Sequence, residues 1–173
     1  MSYTLYDNSI VPAKQVLTAL ASIVRKGEEH ANGKDLLTST LHEDMKPFSF
    51  QILTVVSLAE KLVARLSGAP VPETATELSS FAEANTLLER ALKALDGADK
   101  ATIDANAKNM TEVGMGPGVN VPMPVDAYAS AFALPNLYFH VVTAYSILRK
   151  EGVPLGKRDY LAPFMGPYIP QQQ

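Results

Sequence analysis

The residues with most chemistry to offer are Asn136 and His140, within the stretch Ala131 to Tyr160, AFALPNLYFHVVTAYSILRKEGVPLGKRDY. At i and i+4 their side chains share one stripe of a helix. Paired metal ligands use this spacing, with a neutral imidazole nitrogen binding the ion. An amide oxygen is a poor zinc ligand and suits harder cations. The plainer alternative is a core histidine satisfied by its neighbours, with Asn136 hydrogen-bonded around Pro135. Ahead of the next candidate helix, LHEDM supplies His42, Glu43 and Asp44. These could complete a site with His140, or cap the helix and complement its dipole. Gln51 follows two turns on from Asp44 along the same face and could reach a pocket. Tyr138 and Tyr145 could line a cavity for a small apolar or aromatic ligand, or pack as core rings with their hydroxyls at the edge. Lys157 and Arg158 could hold an anion, or pair with Asp159 and helix carbonyls. His30, beside acidic neighbours, reads as solvated.

Composition narrows the classes. At 173 residues the chain suits one domain, 1–173, with room for a proper core. Hydrophobic residues at 47% and charged residues at 19% describe a soluble globular protein. A net charge of -3 supplies no basic stripe for nucleic acid. The chain has no cysteine, which excludes disulfides, thiolate nucleophiles and cysteine-ligated zinc and fits a reducing cytoplasm. The first residues, MSYTLYDNSIVPAKQ, lack a signal-peptide pattern. From Ala127 to Leu148 only His140 can carry a charge. Ser130, Asn136, His140 and Thr143 would be expensive in lipid, so this helix reads as the bundle's core and not as a membrane span.

The elements that must position these residues follow from periodicity. Ile10, Ala13, Leu17, Leu20 and Val24 predict an amphipathic helix, capped by Ser9 with Pro12 in its first turn and closed at Asn32-Gly33. Asp35 caps a short apolar turn. Phe48, Ile52, Val55, Ala59, Leu62 and Leu66 predict a second helix ending at Gly68. Leu78, Phe81, Leu88, Leu92 and Leu95 predict a third, stopped by Asp96-Gly97 after an extended linker over 69–76. Between Ala98 and Val125 glycine and proline break every period, leaving a long irregular loop in which Val119-Val121 is at most a short strand. Asp126 caps the last helix, Pro135 kinks it near Ala131-Leu134, and Gly152 with Pro154 ends it. The tail reads as irregular, with its aromatic residues packed back on the body. The fold class is all-α, a helical bundle.

Three stretches together carry a resemblance: LYDNSIVPAKQVLTAL, LHEDMKPFSFQI and ALPNLYFHVVTAYSILRKEGVPLGKRDYL. In this order they resemble the domain-of-unknown-function family nineteen-ninety-three, which is related to the DinB/YfiT-like metalloenzymes. The resemblance implies a DinB-like four-helix bundle, often dimeric, and together with the unusually apolar last helix it predicts a homodimer. It implies a metal on three histidines, one from the second helix and an HxxxH pair on the last. Asn136 and His140 match the HxxxH positions, so the first histidine is missing, and the second-helix position falls to Asp44 or His42.

Two functions follow. One is an enzyme or degenerate metalloenzyme acting on a small organic molecule, with His140 as ligand or general base, Asp44 its partner and Asn136 an orienting group. The other is a non-catalytic ligand-binding or dimeric interaction protein. No stoichiometric metal is expected, and a metal, if held, would fall to His140, Asp44 and His42. An enzyme site needs His140 reachable from solvent, whereas a structural histidine is sealed.

Overall fold

The computed structural model describes residues 3–30, 33–116 and 118–169. The first long helix, α1, spans Leu5–Glu28 and is followed by the short α2, Gly33–Leu36. Thr4, and not Ser9, caps α1: its hydroxyl accepts from the Asp7 N–H while the Asp7 carboxylate accepts from the Thr4 N–H. Ser9 is buried, and its hydroxyl donates to the Leu5 carbonyl at 2.6 Å. Pro12 therefore lies within α1 and not in its first turn. The predicted Asn32 stop falls partly outside the described residues.

Helix α3, Phe48–Ser67, begins and ends where its stripe predicts. Gly68 closes it at φ +75°, a left-handed conformation that favours glycine. An extended linker leads to α4, Phe81–Asp96, capped by Ser80. Leu78 precedes this helix and packs against the core from the linker. The one buried carboxylate among the described residues, Glu60 on α3, meets Arg90 of α4 through two parallel bonds of 2.6 and 3.0 Å. This fork satisfies both carboxylate oxygens and fastens the two helices together.

The expected long loop is more ordered than its sequence suggests. Helix α5, Lys100–Ala105, is capped by Asp99, and strands β1, Met110–Gly114, and β2, Asn120–Pro124, pair antiparallel from Met110↔Pro124 to Gly114↔Asn120. The fold is thus mostly helical with a small two-stranded sheet. In a two-stranded ribbon both strands are edges, so Pro122 and Pro124 can present their missing donors outward. Only Val113 of the ten strand residues is buried, so no alternating apolar signal marks the ribbon.

The last long helical run starts at α6, Val125–Ala127, passes through a π-helical turn over Tyr128–Ala133, and continues as α7, Leu134–Lys150. The predicted distortion near Ala131-Leu134 is this wide turn. Pro135 has no N–H to offer the Ala131 carbonyl, and the Leu134 N–H reaches five residues back to Ala129. Asp126 lies inside the run, where its carboxylate accepts from the Ala127 N–H and pairs with Lys108.

Val125–Lys150 is long and apolar enough to cross a membrane on composition alone. Here its Leu137, Val141, Ala144, Ile147 and Leu148 side chains are buried in the protein core, with α7 packed on α1 and α3. The approach to α1 is close: a Cβ at Gly27 would lie 3.0 Å from a Leu148 methyl. The tail is a further correction. Lys157–Met165 forms a helix, α8, packed on α1, with Asp159 bound to Lys26 at 2.6 Å and Phe164 between Tyr160 and Tyr138. Pro163 inside so short a segment conceals the helix from a periodicity reading.

Candidate functional site

The α3–α7 contact brings Gln51 and His140 together. Gln51 sits in the first turn of α3 and is buried, because the same face carries Phe48, Ile52 and Val55 into the core. Its amide nitrogen donates to the Lys46 carbonyl at 3.0 Å, one of the backbone groups just ahead of the helix. Its amide oxygen lies 2.7 Å from His140 Nδ1.

The order of these bonds decides the chemistry of the ring. A carbonyl only accepts, so the Lys46 oxygen must take the amide N–H, which turns the Gln51 oxygen toward the imidazole. An amide oxygen also only accepts, so Nδ1 must carry the proton. The other nitrogen, Nε2, is then a lone-pair acceptor whenever the ring is neutral. Burial favours that neutral form and pulls the His140 pKa below its ordinary 6.5.

Nε2 has no protein hydrogen-bond partner among the described residues, and among them no buried side-chain nitrogen or oxygen lacks one. Nε2 therefore reaches solvent. The imidazole is flanked edge-on by Phe50, at 6.1 Å between ring centres, and Phe139, at 5.2 Å. Both phenyl rings are exposed, Phe139 to 59%, and Val142 at 45% extends the same apolar surface one turn along α7. A neutral base beside apolar rings can accept a hydrogen bond or a proton from a molecule lying on them.

The remaining candidates separate from this centre. Asn136 donates to the Phe132 carbonyl at 2.6 Å, inside its own helix. Asp44 pairs with His42 at 2.8 Å on the exposed segment before α3, with side-chain exposures of 81% and 66%. Tyr138 faces Phe164 of α8, and Tyr145 packs at the core margin. Phe50, Phe139 and the Lys46 carbonyl were absent from the sequence-based set. Phe50 adjoins Gln51, and Phe139 adjoins His140, but apolar residues carry no chemical signature that distinguishes them from core.

The family model described as Domain of unknown function (DUF1993) matches residues 5–161. The chain belongs to the DUF1993 family. Among solved structures, it is similar to the crystal structure, at 1.83 Å resolution, of a DinB family member protein from Shewanella denitrificans. The two are 31% identical over 98% of this chain and 95% of that one, with a TM-score of 0.81. No curated protein matches this chain.

The three-histidine metal set implied by the DinB resemblance does not fit the DUF1993 residues present here. Across the α3–α7 contact stand one imidazole and two carboxamides, with the Gln51 oxygen already engaged by Nδ1–H and the Asn136 amine by a helix carbonyl. His140, Asp44 and His42 do not converge either. Among the described residues, no three histidine, aspartate or glutamate side chains are placed to hold an ion.

A change at position 51 tests the electrostatics. Gln51→Glu places a carboxylate against Nδ1–H, stabilises the imidazolium and should raise the His140 pKa above its wild-type value. Wild-type His140, neutral in the fold and chargeable near 6.5 when unfolded, contributes stability above that pH. The contribution is lost as pH falls through 6.5 toward the lower folded value. NMR titration of the His140 ring proton reads both forms, and an unchanged or lower pKa in Gln51→Glu would contradict this description.

Proposed function

We propose that this DinB-like protein, built as a four-helix bundle in a cytoplasmic setting, binds a small organic molecule on the α3–α7 face. The ligand is aromatic or apolar with one hydrogen-bond donor. It rests on Phe50 and Phe139 and gives its proton or hydrogen bond to His140 Nε2. The observation that carries this reading is the relay from the Lys46 carbonyl through Gln51 to Nδ1–H, which leaves a solvent-reaching lone pair beside exposed phenyl rings. If a reaction occurs, His140 is its general base, with Gln51 holding the tautomer, a positioning role that the sequence first suggested for Asp44 and Asn136.

A second reading is favoured by the same exposed apolar surface: Phe139 and Val142 form the centre of a homodimer interface. Sedimentation and ligand-observed NMR with a panel of substituted phenols separate the two. The ligand reading expects a monomer at tens of micromolar, with phenol binding that is lost in His140→Ala. A wild-type dimer dissociated by Phe139→Glu, with no phenol bound, would establish the second reading instead.

The donor set predicts that untagged protein carries no stoichiometric metal. Losing two of three imidazoles removes the strong neutral ligands on which zinc sites of this kind rest. Elemental analysis checks this. One zinc, nickel or manganese per chain, abolished by His140→Ala, would overturn it.

A further inference from the structure

The segment after α7 forms a groove that the α3–α7 site does not use. Lys157 and Arg158 stand at one end of it, and Leu161, Met165 and Ile169 form its wall, along an open space of about 530 Å³. The three apolar side chains recur every four residues along α8 and the turn that follows. They remain exposed to 37%, 42% and 51%, whereas Tyr160 and Phe164 on the opposite side pack toward the body.

Among the described residues, no acidic side chain pairs with the charge at the mouth. The neighbouring acid, Asp159, is held by the Lys26 ammonium at 2.6 Å and by the Gly156 N–H at 2.7 Å, and the Lys26 contact is the leading reason its carboxyl lies below the usual range. Neither Lys157 nor Arg158 pairs with an acidic side chain among the described residues. Two cations with no acidic partner among the described residues therefore face a groove in a protein whose net charge is -3.

From this juxtaposition we propose that the α8 groove binds a small anionic amphiphile, a medium-chain carboxylate, with its head on Lys157 and Arg158 and its aliphatic tail along Leu161, Met165 and Ile169. The guanidinium offers a planar fork for a carboxylate and the ammonium adds a second point charge. The wall supplies apolar area that a charged head alone cannot use. The order of the lining residues, cations first and the three apolar side chains after them, gives a single bound chain one direction.

Octanoate is the probe, used with the full chain below the concentration at which it forms micelles. Methyl-resolved NMR should show saturable shifts at Leu161, Met165 and Ile169. Acetate, which lacks the tail, and octylammonium, which reverses the head, should produce none of comparable size. Lys157→Gln with Arg158→Gln should weaken octanoate binding about tenfold or more, the scale of one lost charge-assisted contact. Met165→Glu should do the same while leaving both cations in place, and helical circular dichroism confirms that each variant is folded. His140→Ala should leave octanoate binding unchanged, which separates this groove from the α3–α7 site. Equal binding of octylammonium or acetate, shifts located elsewhere, unaltered affinity in both groove variants, or association with anionic lipid vesicles but not with monomeric octanoate would each overturn the proposal.

Discussion

The packing of α7 on α3 is the constraint around which the rest of this protein is arranged. The stretch from Ala127 to Leu148 has no charge of its own beyond a histidine held largely neutral by burial. Its apolar side chains must be covered, and its polar ones must find partners within the protein. Helices α1 and α3 provide the cover, with Gly27 allowing Leu148 to approach closely. Asn136 and Thr143 return their donors to carbonyls of their own helix. Tyr128 and His140 look outward to another helix, Tyr128 accepting from Arg65 and His140 answered by Gln51.

That answer determines what the site can do. A carboxylate at position 51 would have favoured a charged imidazolium; an amide, already committed to the Lys46 carbonyl, accepts one proton-bearing nitrogen and adds no charge. The consequence is a neutral ring with its second nitrogen toward solvent. The buried Glu60–Arg90 fork shows the contrasting solution, a charge retained within the fold because it is fully paired.

Periodicity made α1, α3, α4 and α7 legible, because each carries a continuous apolar stripe buried in one shared core. The start of α1 was misplaced because Ser9 and Thr4 both suit a cap, and only the reciprocal Asp7 contact distinguishes them. Of the β1–β2 ribbon only a short strand at Val119-Val121 was suggested by the sequence, and α8 was not suggested at all, for a shared reason. Neither carries a buried stripe: one strand residue is buried in the ribbon and none in α8. At the site, His140 and Gln51 were both visible as residues, but their pairing was not, since it depends on the rotation of α3 relative to α7. Asp44 looked the better partner for His140 on chemistry alone. It lies before α3 begins, on an exposed segment, and pairs with His42 instead.

The central claim is that Gln51 fixes the tautomer of His140. Long-range proton–nitrogen NMR correlation on the imidazole ring at neutral pH tests it most directly, because protonated and lone-pair nitrogens resonate far apart. The expected spectrum has Nδ1 in the protonated range and Nε2 in the lone-pair range, with both nitrogens moving to an averaged position in Gln51→Ala. A wild-type ring protonated at Nε2, or charged at both nitrogens, would contradict the account.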